Sequence, residues 1–176
     1  MLRRGGYQKK LKYRLGLWPK LGEKAGGRKR IWIQAVSVGE VSSITKLLGL
    51  LFENENFEIV LSGTTSAGLK TAENKFGNQV KAHGPFPLDW LPFSQKAWKQ
   101  IEPDLIVMVD SELWPEHFHQ AKKRGIPLII INARLSDRSY SRLRKLKGLH
   151  PLLLPKNLQV ITASERQTKR WKSLGL

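Results

Sequence analysis

Glu40 closes the stretch Ile31-Trp32-Ile33-Gln34-Ala35-Val36-Ser37-Val38-Gly39-Glu40. The stretch begins as an apolar β-branched run and ends in a small polar turn. A carboxylate on such a turn can take the proton of an attacking hydroxyl, which is general-base work. Ser37-x-x-Glu40 also matches a capping box. There Ser accepts from the third helical N–H and Glu reaches back to the cap's own N–H. A cap contributes ~1 kcal/mol and needs no function. The two roles are compatible, because Ser37 can cap while Glu40 faces a substrate.

Three other turns carry chemistry-bearing side chains. Asp110-Ser111-Glu112-Leu113-Trp114-Pro115 holds two carboxylates and a proline suited to a first helical turn. Acids there favour the helix dipole in any case. Beside Glu40, however, they would raise one another's pKa and so tune a base. Pro85-Phe86-Pro87-Leu88-Asp89-Trp90 is a rigid turn presenting Asp89. Asn132-Ala133-Arg134-Leu135-Ser136-Asp137-Arg138-Ser139 offers Arg134 and Arg138 for bidentate binding of phosphate or carboxylate. Ion pairing with Asp137 is the plainer use of those arginines. Ser62-Gly63-Thr64-Thr65-Ser66-Ala67-Gly68 has small residues whose amides could hold an anion. It has no lysine and is not a Walker motif, and a capped helix start explains it equally well. His117 and His119 are two apart on an expected helix and do not share a face, so no metal site is expected.

Alternating elements must position these turns. The patterns predict strands at 31–36, 57–62, 80–83, 104–109, 127–132 and 158–162. Helices are expected at 40–52, 67–76, 93–101, 115–124, 137–147 and 164–174. Apolar strands such as Leu128-Ile129-Ile130-Ile131 predict an α/β fold, a parallel sheet with helices on both faces. Right-handed crossovers then bring every strand-to-helix turn to one edge, where open α/β sheets gather their ligand sites.

The chain has 176 residues and no cysteine, which excludes a thiol nucleophile, a disulfide framework and Cys-ligated zinc. No apolar run reaches the length of a bilayer span, and charge follows Met1 where a signal peptide would be apolar. The net charge of +17 is segregated. Residues 1–30 hold 11 Lys and Arg against Glu23 alone; residues 134–176 hold 11 against Asp137 and Glu165. The middle holds nine bases and eleven acids. Basic flanks point to a polyanionic partner, nucleic acid or an anionic membrane. In the first flank Leu11, Leu15 and Trp18 fall at i, i+4, i+7, so a short amphipathic helix ending at Pro19 is expected. Gly26-Gly27 reads as a hinge. Residues 1–30 are thus expected to be a membrane-proximal segment and residues 31–176 a Rossmann-like domain.

Taken together these turns resemble the amino-terminal domain of the 3-deoxy-D-manno-octulosonic acid (Kdo) transferases. The resemblance rests on Ser37-Val38-Gly39-Glu40, Thr65 and Gly68, Pro87 and Asp89, Glu112-Leu113-Trp114-Pro115, and Asn132-Ala133-Arg134-Leu135-Ser136 with Arg138-Ser139. It runs from about Tyr7 to Leu176. It implies the amino-terminal half of a GT-B fold. That half binds the acceptor, a lipid A precursor, and the other half binds the donor, CMP-Kdo. Transfer is inverting and uses no metal or other cofactor. Glu40 matches the base, and Asp110 stands where the family usually has a Glu thought to support the transition state. Ser37, Gly39, Thr65, Asp89, Glu112, Arg134, Ser136 and Arg138 are the substrate-binding positions expected on the same basis. Gln34 stands where His is common, Ala67 where Thr is common and Glu116 where Asn is common. Family members are held at the cytoplasmic face of the bacterial inner membrane. The resemblance also implies a donor-binding domain beyond Leu176, in cis or on a separate chain, and an anchor before Met1. The 176 residues are therefore read as one domain of a longer or split enzyme. A basic nucleic-acid-binding domain or a non-catalytic interaction module are the alternative readings. The former lacks a recognition helix, zinc motif or aromatic stacking strand, so no specific nucleic acid is expected.

Overall fold

The computed structural model describes residues 8–110, 113–146, 148 and 158–175. Six strands form one parallel sheet: β1 Lys29–Gln34, β2 Phe57–Gly63, β3 Ala82–Pro85, β4 Leu105–Val109, β5 Leu128–Ala133 and β6 Leu158–Thr162. Their order is β3-β2-β1-β4-β5-β6. All five pairings are parallel. This is the doubly wound Rossmann order, with its topological switch point between β1 and β4. Ile31 lies opposite both Ile59 and Leu105, so the central strand is paired along most of its length on both sides.

Helices cover both faces, as the apolar strands require. Among the described residues they are α1 Val38–Ser43, α2 Thr45–Phe52, α3 Ser66–Phe76, α4 Leu91–Ile101, α5 Pro115–Arg124, α6 Asp137–Lys145 and α7 Glu165–Ser173. On one face Ile31, Ile33, Ile59, Leu61, Val107 and Val109 pack against Val41, Ile44, Leu48, Ala72 and Phe76. On the other, Trp32, Val60, Ile106, Met108, Leu128 and Ile130 pack against Trp98, Phe118, Trp171 and their neighbours. Adjacent strand residues serve opposite cores because side chains alternate along a strand.

Two expectations need correction. The helix expected over 40–52 is two helices, broken at Ile44 (φ −99, ψ 4). There Ser43 Oγ donates to the Glu40 carbonyl (2.8 Å) and Thr45 Oγ1 to the Val41 carbonyl (3.3 Å), the local competition that bends helices. The amphipathic helix of the basic flank is a 3-10 segment, Gln8–Leu15, and it stops at Gly16 (φ 76), well before Pro19. At three residues per turn the i, i+4, i+7 set no longer shares a face. Leu11 and Leu15 are exposed, whereas Trp18 is 3% exposed and belongs to the main core. A side chain at Gly16 would strike the Phe93 carbonyl. The first thirty residues are therefore packed onto the sheet domain from Tyr13 onward, with Tyr13 stacked on Trp18.

Candidate active site

Glu40 lies in the first turn of α1, directly after β1. Its Oε2 accepts from the Val36 N–H (2.7 Å) and its Oε1 from Ser37 Oγ (3.0 Å). Ser37 is the N-cap and accepts from the Glu40 N–H (3.4 Å). The capping box is thus displaced by one residue: Glu40 reaches past the cap to the residue before it. The carboxylate is half-buried, and burial raises its pKa above the ordinary value of 4.5. The Val36 and Ser37 hydrogen bonds oppose that rise, and the negative charge of Asp110 adds to it. Burial is the larger cause, so carboxylate pairing contributes less than the sequence pattern suggested. Glu112 lies outside the described residues.

A second layer fixes this turn. Thr65, the N-cap of α3, donates its hydroxyl to the Val36 carbonyl (2.7 Å) and accepts from the Gly68 N–H (3.1 Å). Its own N–H also donates to the Val36 carbonyl (3.1 Å). A Cβ on Gly68 would lie 2.9 Å from that carbonyl oxygen and 3.1 Å from the Ser37 carbonyl carbon. The small residues after β2 therefore let α3 approach the Glu40 turn closely, and that turn uses the Thr65 amide. Beneath it a buried network runs from Trp32 Nε1 to Ser62 Oγ (2.9 Å), on to Gln34 Oε1 (2.7 Å), and from Gln34 Nε2 to Thr64 Oγ1 (3.0 Å).

Ser37, Gly39, Glu40, Ser43, Asp110, Asn132 and Arg134 line one cleft of about 260 Å³. It sits at the carboxyl ends of β1, β4 and β5, across the switch point. Five of the expected site residues meet there. Asp110 is held by its N–H donating to the Ile131 carbonyl (2.9 Å) and has a left-handed backbone (φ 67). Strain of this kind collects at functional sites.

The other expected residues sit elsewhere. Asp89 Oδ1 accepts from the N–H groups of Glu116 (2.9 Å) and His117 (3.1 Å), so it caps α5 from the loop after β3. Burial raises its pKa, opposed by those two hydrogen bonds. Ser136 is the N-cap of α6. Arg138 is exposed on α6 and does not line the cleft. Asp137 pairs with Arg166 and Arg170 of α7, and Arg134 lines the cleft. The sequence reading assigned Asn132 no role, yet it lines the cleft. Its signal was a polar residue ending an apolar strand. Among the described residues no group of three acids, histidines or cysteines could hold a metal ion.

Comparison with known proteins decides the family. The sequence model described as 3-deoxy-D-manno-octulosonic-acid transferase (kdotransferase) matches residues 9–176. The chain belongs to the Kdo transferase family. It is 36% identical over 148 residues to a 3-deoxy-D-manno-octulosonic acid transferase of Haemophilus influenzae, covering 82% of this chain and 34% of that protein. The identity is 29% over 167 residues to the enzyme of the same name from Rickettsia prowazekii, covering 94% of this chain and 35% of that protein. It is 33% over 146 residues to a bifunctional glycosyltransferase/methyltransferase of Fusobacterium nucleatum, covering 82% of this chain and 23% of that protein. The chain thus spans about a third of the Haemophilus and Rickettsia enzymes. Its six-stranded parallel, Rossmann-like sheet is consistent with the amino-terminal half of a GT-B fold.

Proposed function

We propose that this domain binds the acceptor, a lipid A precursor, and that Glu40 is the general base for inverting transfer of Kdo from CMP-Kdo. One observation carries the reading: a half-buried carboxylate of raised pKa, held from behind by Val36 and Ser37, at the rim of the switch-point cleft. Among the described residues each Glu40 oxygen accepts one hydrogen bond and keeps a lone pair for a substrate. A hydroxyl of the acceptor gives its proton to Glu40 as its oxygen bonds to the anomeric carbon of Kdo. The bond from that carbon to the CMP phosphate breaks, and CMP leaves with the electron pair. Asp110 supports the positive charge that develops on the sugar, and Arg134 binds an anionic group of the substrate. The donor is held by a further domain, in cis or on a separate chain. No metal takes part.

The test is Glu40→Gln in an enzyme that includes the donor domain. Gln can keep both the Val36 and Ser37 contacts but cannot take a proton. Turnover should fall on the order of a hundredfold or more, with acceptor binding near normal. Retained turnover would leave Glu40 a cap alone.

An anionic membrane is the proposed partner, at the cytoplasmic face of the inner membrane. Among the described residues no helix is long and apolar enough to cross a membrane. Surface attachment has its own support. Leu15, Leu17, Leu88, Trp90 and Leu91 are exposed, Trp90 at 64%. The Leu88 N–H donates to the Arg14 carbonyl (2.9 Å), so the two stretches adjoin. Apolar side chains beside Lys12, Arg14 and Lys20 suit a bilayer interface. Trp90→Ser with Leu91→Ser should reduce sedimentation with anionic vesicles; undiminished sedimentation would move attachment to the Arg138, Arg142 and Lys145 face. Removal of residues 1–26 is a poor test, because it takes Trp18 from the core.

A further inference from the structure

Asn132 lines the cleft, and the mechanism above gives it no work. It is half-buried at the end of β5, where the ladder to β6 shifts register between Ile130 and Ala133. Irregularities of this kind re-aim side chains near active sites. Its backbone is left-handed (φ 53), as is that of Asp110 on the adjacent strand (φ 67). Outside glycine, Asn and Asp adopt this conformation most readily, because their short polar side chains bond locally. Two such residues on neighbouring strand ends, both lining one cleft, are a cost the apolar core does not require. The Asn132 side chain uses the position: its Oδ1 accepts from Arg134 Nη2 (3.4 Å), two residues on.

We propose that Asn132 is the positioning residue of Arg134. The left-handed backbone turns the chain after β5 across the cleft, and the amide oxygen steadies the guanidinium there. Arg134 so held takes an anionic group of the substrate, a phosphate or carboxylate, and thereby sets the substrate hydroxyl against Glu40. This rests on the reading of the cleft as the acceptor site.

The experiment uses the complete enzyme, donor domain included, with kinetics against acceptor concentration. Asn132→Gly keeps the left-handed backbone and deletes the amide. It should raise the acceptor KM on the order of tenfold, the loss of one hydrogen bond to a charged group, with kcat within about threefold. Asn132→Asp keeps the conformation but neutralises Arg134, and should raise KM further. Arg134→Ala should raise KM at least as much as Asn132→Gly, and the double variant should add little to Arg134→Ala alone, because the pair acts as one unit. A parental KM in Asn132→Gly, with Arg134→Ala impaired, would overturn the proposal, as would additive effects in the double variant. Glu40→Gln run alongside separates the two failures: if it stays active, the acceptor-site reading has failed.

Discussion

The two edges of the sheet use their charges in opposite ways. At the amino edge Arg30 is fully buried, yet each of its three guanidinium nitrogens donates a hydrogen bond. It donates to Glu58, to the Ile101 carbonyl and to the Gly22 carbonyl. Its backbone N–H donates to Asp104 (2.7 Å), which pairs with Lys24 (2.6 Å). Burial would push the Asp104 carboxyl up, but Lys24 and the Arg30 N–H together hold it below its ordinary value. Among the described residues Glu40, at the carboxyl edge, accepts from two donors and pairs with no cation, and its pKa is raised. Left-handed backbone is found at both edges: Asp110 and Asn132 adopt it at the cleft, and Glu102 (φ 50) adopts it as the C-cap of α4 at the amino edge. Satisfied charges stabilise a fold, and a buried charge left short of partners is available for chemistry.

Four measurements sharpen or break this contrast, from the largest effect down. Arg30→Met leaves Glu58 buried without its cation. It should cost about 3–5 kcal/mol, the usual penalty for breaking a buried pair, in urea unfolding of the 176-residue chain. A loss under ~1 kcal/mol would mean the amino edge is not where stability resides. Glu40→Gln should do the reverse, leaving the urea midpoint within ~1 kcal/mol of the parent while turnover of the complete enzyme falls about a hundredfold. In the parent, activity should drop as pH falls, with a midpoint above 4.5 because burial favours the protonated Glu40. A midpoint below 4.5 would contradict the burial argument.

The third measurement concerns His117, buried between Trp32, Phe86 and Trp98. Trp98 Nε1 donates to its Nδ1 (3.1 Å). Burial lowers its pKa from 6.5 to about 3, with the Pro87 carbonyl pulling weakly the other way. Between those values the unfolded chain takes up a proton that the folded chain refuses. The stabilisation is therefore complete above pH 6.5 and is lost as pH falls toward 3. The slope is at most ~1.4 kcal/mol per pH unit. His117→Gln should flatten that limb of a stability–pH curve, and an unchanged limb would assign it to the carboxylates. The smallest effect is Thr65→Val, which removes the cap of α3 and the hydroxyl bond to Val36. A loss of ~1 kcal/mol is expected, and Thr65→Ser should restore it. Turnover should fall with it, because the Val36 N–H orients Glu40. If turnover is unmoved, the second layer supports the fold and not the base.

How far the sequence reaches differs from element to element. Continuous apolar runs and helical spacing are local, so all six strands were legible to within a few residues, as were most helices. The Ser37–Glu40 turn was legible for the same reason, because cap and carboxylate lie three residues apart. The break at Ile44 was not, since it depends on which carbonyls the Ser43 and Thr45 hydroxyls take. Trp18 read as part of the apolar face of a membrane-proximal helix because a basic stretch surrounds it; the groove between Tyr13, Trp32 and the β3 end makes it core.

By itself the sequence determined the α/β alternation, the single edge on which the turns gather, and the residue types present there. Tertiary structure alone decided which turns meet. Strand order set β4 against β1, and so brought Asp110 within the field of Glu40, seventy residues earlier. It sent Asp89 to the end of α5 and Thr65 to the back of the Val36 turn. Local pattern carries no information on such pairings, because they depend on the order in which strands add to the sheet and on the shapes that fill the space between its layers.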